Sequence, residues 1–269
     1  MTELLLPTLT AAFYAMLALM TNFRTSPASS STGGQSAIHI QILTAGTLAL
    51  HAFLSLTNIS GPAGVDLSLA NTLSLTALVT VSIFWLSSWQ THLDGFGIIV
   101  MPMAAICVLL PALPFGSAHP MPLSGPLLGH ILLSVIAYSL LAVASLQALF
   151  MAYIDYHIRH KHPGRLLAGM PSLQQLETLL FRFILVGLVV LTASLASGWL
   201  YMDNLFAQQV VHKTVLSLLA WLVYATLLLG HYRLGWRGQT AVRLCLVAFG
   251  LLVLGYIGSK FVLEIILGR

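Results

Sequence analysis

Residues 126–153, PLLGHILLSVIAYSLLAVASLQALFMAY, contain no Asp, Glu, Lys or Arg and carry one histidine, His130, near their start. A bilayer core is about 30 Å thick and takes about 20 apolar residues of helix to cross, so this run reads as a membrane span. The same criterion, applied outward in both directions, finds comparable runs at 3–23, 37–57, 68–88, 95–114, 176–200, 211–232 and 240–265. The expected fold is therefore an all-α, polytopic transmembrane helical bundle of about eight spans, with residues 1–269 forming a single domain.

Composition agrees. Of 269 residues, 58% are hydrophobic and only 7% charged, and the mean hydropathy is +0.93, far above that of a water-soluble domain. The first run carries Glu3 in place of a basic leader, has no clear small-residue cleavage site and is followed by Arg24, so it reads as a retained helix. Arg24, Arg159, Lys161, Arg165, Arg182, Arg233, Arg237 and Arg243 fall on one side of the predicted membrane, against Lys213, Lys260 and Arg269 on the other. The positive-inside bias then puts both termini outside. The net charge of +4 follows from this asymmetry and gives no reason to expect nucleic acid as a partner; lipid is the expected surrounding.

The connections are short. Residues 25–36 read as a polar linker, 58–67 and 115–125 as outer turns, and 154–175 as a solvated basic loop holding His157, His160 and His162. Cys107 and Cys245 are predicted at depths roughly 15 Å apart, at 1.5 Å rise per residue, which excludes a disulfide and suggests core packing. No Cys-x-x-Cys-His occurs, so the chain does not itself attach a c-type haem.

Three histidines, His51, His130 and His231, lie within predicted spans. Neutral imidazole is a common ligand for metals and for haem iron, and polar groups facing lipid are costly, so each must face protein, a cavity or a cofactor. Ser134 and Tyr138 follow His130 at helical spacing, and Thr44 and Thr47 lie beneath His51. His51 and His130 are predicted at similar depth, the arrangement needed for bis-histidine ligation of iron; a hydrogen bond to a neighbouring helix accounts for either ring equally well. Trp221, Tyr224, Leu228 and His231 form one helical face that suits packing or a cofactor wall, with His231 toward the opposite side from His130. Lys213 and Lys260 lie toward the outer ends of their spans. There they would neutralise haem propionates or snorkel to the interface.

The C-terminal third carries a family pattern: Lys213, then Trp221-Leu222-Val223-Tyr224-Ala225, His231, Gly235-Trp236-Arg237-Gly238, Phe249-Gly250 and Tyr256-Ile257-Gly258. With Gly129-His130, Ala137-Tyr138 and Tyr153 in the fifth span, and His51-Ala52 more loosely in the second, it resembles the CcsA/HemX-like cytochrome c assembly membrane proteins, and among them the short YpjD-type inner membrane members. The larger members handle haem and deliver it outside the membrane, so the resemblance implies an outer-face haem-ligand role for His130 and a membrane-site role for His231. The glycines of the Gly-Trp-Arg-Gly segment read as a tight turn, with Trp236 and Arg237 anchored at the headgroups.

Two features depart from the family pattern. The tryptophan-rich outer segment is reduced here to Gly198-Trp199-Leu200-Tyr201-Met202-Asp203-Asn204-Leu205-Phe206, and a C-terminal histidine is absent from the ending Glu264-Ile265-Ile266-Leu267-Gly268-Arg269. The expectation is a non-enzymatic bacterial inner-membrane protein that binds haem b non-covalently near its outer face. His130 and His51 would be iron ligands, with Lys213, Lys260, Trp221, Tyr138 and His231 as further cofactor contacts and other assembly or membrane proteins as partners. A haem-free accessory subunit is the alternative. The seven acidic residues are scattered, and no serine or cysteine has a base at motif spacing, which disfavours a hydrolase or a transferase; Asp66, Asp94 and Asp203 fall at or outside span ends, which disfavours a small-molecule transporter.

Overall fold

The computed structural model describes residues 2–24, 33–61, 64–89, 96–113, 120, 122, 124–160, 172–201 and 211–261. Eight main helices lie among the described residues, in the order α1 (Thr2–Arg24), α2 (Gly33–Ile59), α3 (Leu69–Ser88), α4 (Gly97–Leu109), α5 (Gly125–Arg159), α6 (Leu173–Tyr201), α7 (Val211–Leu234) and α8 (Gln239–Val253). A 3-10 turn, Leu110–Ala112, closes α4, and α8 continues through a π-helical stretch, Leu254–Gly258, into Ser259–Phe261. Seven helices are long and apolar enough to cross a membrane, so the chain is a multi-pass membrane protein.

Of the expected fourth span, 95–114, the described residues form an apolar helical stretch over Gly97–Ala112, shorter than the other seven. Pro102 interrupts the ladder, and Pro111 takes the last residues into the tighter 3-10 form. α4 nevertheless belongs to the bundle, since Val100, Met101, Ala104 and Val108 are buried at helical spacing. They pack chiefly on α1, whose Thr10, Tyr14, Leu17 and Thr21 form the matching face. The helices approach so closely that a Cβ on Gly97 would lie 3.2 Å from Thr21 Oγ1.

Cross-helix bonds fix the up-and-down order. Asn71 of α3 donates to the Asn58 carbonyl at the end of α2, while Gln41 at the start of α2 reaches Ser88 at the end of α3. His130 at the start of α5 meets Ser194 and Ser197 near the end of α6, and Gln147 donates to the Leu176 carbonyl at the other end. Ser139 donates to the Thr76 carbonyl, joining α5 to α3 and the first four helices to the last four. Small side chains line the tight seams: Ala137, Ala144 and Ala148 on α5, Gly187 on α6, and Ala241, Cys245 and Ala248 on α8.

Between α2 and α3 two short strands, β1 (Ser60–Gly61) and β2 (Gly64–Val65), pair antiparallel. Asp66 supports them by accepting from the Ser68 N–H and the Asn71 amide, so the expected ordered turn at 58–67 is seen in its described part. The expected loop start at 154 is corrected, because α5 runs on to Arg159. An Asp155–Arg159 ion pair of 3.0 Å supports the extra turn, and the Tyr153–His157 and Tyr156–His160 rings meet at a tilt with centroids 4.1 Å apart. Both cysteines are free thiols. Most of the 25–36 linker, His162, residues 202–206 and the chain end after Phe261 lie outside the described residues.

Candidate functional site

The bundle end formed by the start of α5, the end of α6, the start of α7 and the end of α8 gathers most of the polar residues picked out by sequence. His130 is partly exposed there. Its Nδ1 lies 3.1 Å from the Ser194 carbonyl oxygen and 3.0 Å from Ser197 Oγ. A carbonyl only accepts, so Nδ1 carries the proton, and the lone pair of the neutral ring is on Nε2. Ser197 donates its own proton to the Ser194 carbonyl at 2.7 Å, and Ser134 bonds both the His130 carbonyl and Ser194 Oγ at 2.8 Å. The imidazole is thus held in one tautomer and one orientation by two helices. Metal-bound histidines use the same device, an N–H given to a backbone carbonyl.

Two turns further along α5, the Tyr138 ring meets that of Tyr256 with centroids 5.7 Å apart. Lys213 Nζ and Lys260 Nζ lie 5.7 Å and 5.6 Å from the centre of the Tyr256 ring. Two ammonium groups, one on α7 and one past the π-helical turn of α8, therefore converge on one aromatic ring. The π-helical turn permits this: a Cβ on Gly255 would lie 3.1 Å from Leu216 Cβ, so glycine lets α8 close against α7 where Tyr256 and Lys260 turn inward.

His51 is placed differently. Its ring is wholly buried between α1, α2 and α3, with Nδ1 2.9 Å from the Tyr14 hydroxyl and Nε2 3.0 Å from Ser74 Oγ. Both nitrogens are engaged, so no lone pair remains for iron in this arrangement. Depth separates the two histidines as well. Ser74 lies two residues nearer the His130 end of the bundle than Thr76, whose carbonyl accepts from Ser139, so Ser74 is level with about Ala137 and His51 lies roughly 10 Å from His130 along the bundle, at 1.5 Å per residue. The structure does not bring His51 and His130 together as a ligand pair, because α2 packs on α1 and α3 while α5 packs chiefly on α6, α3 and α8.

His231 lies at the opposite end of the bundle, stacked on Phe181 at 3.5 Å between ring centres, with Nδ1 3.0 Å from the Trp236 carbonyl oxygen. Trp221 donates from Nε1 to Thr192 Oγ1 at 2.8 Å and so ties α7 to α6. The Gly-Trp-Arg-Gly turn is as expected for its glycines, with Gly235 and Gly238 at φ of 68° and 56°. The Trp236 ring lies against Gly230 on α7. Among the described residues, no three His, Cys, Asp or Glu side chains come together as a metal site.

The Cytochrome C assembly protein family model matches residues 40–267, from the first third of α2 to beyond the last described residue, Phe261. The chain belongs to the cytochrome c assembly protein family. Within and around the family, it is 35% identical over 207 residues to the inner membrane protein YpjD of Escherichia coli K12, covering 77% of this chain and 78% of the relative. An uncharacterised 28.8 kDa protein of Azospirillum brasilense is 37% identical over 141 residues, covering 52% of each chain. The protein HemX of Brevibacillus brevis is 29% identical over 174 residues, covering 62% of this chain and 60% of the relative. No solved structure matches. The family match takes in His51, His130, Lys213, Trp221, His231 and Lys260, and leaves α1, which carries Tyr14, outside it.

Sequence reasoning missed Ser194 and Ser197, although their spacing puts both on one face of α6. It also missed Tyr14 and Ser74, for which no local pattern stands out. The sequence marks Tyr256 only as part of a family motif, and its place beside two lysines follows from packing.

Proposed function

We propose that this chain is a haem-handling protein of the inner membrane that holds haem b non-covalently at the His130 end of the bundle and stores or relays it for a partner. The observation that supports this reading is the His130 ring, whose Nδ1–H is committed to the Ser194 carbonyl and whose Nε2 lone pair is left for a metal. Haem would supply an iron with open axial positions and two propionates. His130 fits the first, and the Lys213 and Lys260 ammonium groups around Tyr256 fit the second. His51 does not fit as a second ligand in this state, so the proposal rests on His130 alone. The inner-membrane assignment follows the name of the Escherichia coli relative.

Haem titration of the purified protein tests the reading. A Soret band that shifts on reduction is expected, with His130→Ala abolishing it. Ser197→Ala, which loosens the ring, is expected to weaken binding by about 10-fold. No absorbance from protein purified out of haem-replete membranes would sink the proposal. The closed hydrogen bonding of His51 favours a second reading, a haem-free accessory subunit on the same scaffold; colourless protein that still captures a partner would establish it.

The Arg-rich end, with Arg182, Arg233, Arg237 and Arg243, is proposed to face the cytoplasm, which puts His130 outside. A cysteine introduced at Ser124 is expected to react with a membrane-impermeant maleimide in whole cells, and one at Gly238 only after lysis. The reverse pattern would invert the topology.

A further inference from the structure

A lysine near the end of a span can extend along its helix into water or turn inward. Lys213 and Lys260 turn inward. Both residues are half-buried, and their Nζ atoms lie 5.7 Å and 5.6 Å from the centre of the Tyr256 ring. Like charges repel, and away from bulk water that repulsion is only partly screened, so two ammonium groups brought together need a group that holds them. The Tyr256 ring attracts each of them through its π-system.

The chain fixes that ring. Tyr138 of α5 meets it with centroids 5.7 Å apart. The π-helical turn Leu254–Gly258 carries it, and Ser259 Oγ closes the turn by donating to the Gly255 and Tyr256 carbonyl oxygens at 2.8 Å and 3.1 Å. Tyr256 thus joins three helices, with one lysine arriving from α7 and the other standing one turn further along its own chain. Cations also gather at the opposite end of the bundle, where Arg182 and Arg237 line a cavity of about 290 Å³ with His231, but a carboxylate, Glu177, lines that cavity too. The lysine pair differs in that one aromatic residue sets where both charges lie.

We infer that Tyr256 is a positioning residue that determines the specificity of the His130 site: its ring holds Lys213 and Lys260 as a pair, and the pair selects a porphyrin by its two carboxylates. This rests on the haem reading for the place of the ligand and adds the ground on which the ligand is chosen. One propionate for each ammonium answers both charges. A porphyrin with one carboxylate esterified leaves one lysine unanswered, and a diester leaves both. The attraction comes from the ring, so phenylalanine serves in place of tyrosine and an aliphatic side chain does not.

The test uses metal-free protoporphyrin IX, its monomethyl ester and its dimethyl ester. Each is titrated into the full-length protein in dodecyl maltoside, read by porphyrin fluorescence and corrected for its partition into protein-free micelles. The unaltered protein is expected to bind the diacid about 10-fold more tightly than the monoester and about 100-fold more tightly than the diester, one charge-assisted hydrogen bond for each carboxylate. Tyr256→Phe should keep these ratios, and Tyr256→Leu should reduce the diacid-to-diester ratio about 10-fold. Lys213→Gln combined with Lys260→Gln should bring that ratio near one. Equal binding of diacid and monoester by the unaltered protein would overturn the proposal without any variant having to fold. A Tyr256→Leu variant that keeps the ratio, or a Tyr256→Phe variant that loses it, would overturn it as well. Without iron the porphyrin makes no bond to His130, so the two readings fail separately: a Soret band from bound haem beside porphyrin ratios near one would end the role of Tyr256 and leave the haem reading standing.

Discussion

His51→Ala is expected to destabilise the protein by about 3–5 kcal/mol, read as a lowered midpoint of unfolding in mixed micelles. The ring is fully buried, and removing it leaves a cavity where packing contacts were, worth about 2–3 kcal/mol. It also breaks the bonds to Tyr14 and Ser74, which join three helices. Hydrogen bonds between membrane helices average about 0.6 kcal/mol and reach about 1.7, so the cavity is the larger part. Tyr14→Phe keeps the shape and removes one bond, so it should cost only about 1 kcal/mol. The pair also separates structure from ligation. A His51→Asn variant that remains folded should keep whatever haem the unaltered protein binds, and loss of the Soret band with His130 intact would show that the ring leaves its pocket for iron. His51→Ala as stable as the parent would refute the packing argument.

Gly230→Ala is expected to cost about 2–3 kcal/mol, large for one methyl group, because the new Cβ falls within the Trp236 indole, with Cζ3 only 2.8 Å away. Trp236 cannot step aside cheaply. Its N–H donates to the Gly230 carbonyl at 3.1 Å, its carbonyl accepts from His231, and Gly235 and Gly238 hold the turn at positive φ. The strain should therefore spread to the cavity wall at His231 and Arg237. A double-mutant cycle checks the cause: Trp236→Ala removes the obstacle, so Gly230→Ala added to it should cost no more than its helix context demands. Additive losses would show that the glycine matters for another reason.

The spans were legible because charge-free runs of sufficient length have one reading in a chain with 7% charged residues. Hydropathy registered the apolar run at 95–114 and not Pro111, where the described helix passes into a 3-10 turn, and it ended α5 early because Asp155 and Arg159 look polar until they pair across one turn. At the site, the family pattern singled out His130, and its surroundings bring Lys213, Lys260 and Tyr138 toward one end of the bundle. The pairing of His51 with His130 was an inference from depth along separate helices. It could not foresee that Tyr14, far off in sequence, would occupy one imidazole nitrogen and Ser74 the other. Partners across helices are set by rotation and tilt, which no single run of residues encodes.

The lengths of α4 and α5 bear on the membrane this protein can inhabit. α5 has 35 residues, about 52 Å of helix, and even at a tilt of 40° about 40 Å of it lies along the bilayer normal. Thickening or thinning of the surrounding lipid by a few ångströms then alters only how much of α5 stands clear of the hydrocarbon, with no exposed apolar end created. α4 runs the other way: its helical stretch, Gly97–Ala112, is about 24 Å long and sits against α1 and α3. The described part of α4 thus falls short of a bilayer core of about 30 Å, and its packing on α1 and α3 lets those longer helices meet the lipid on its behalf.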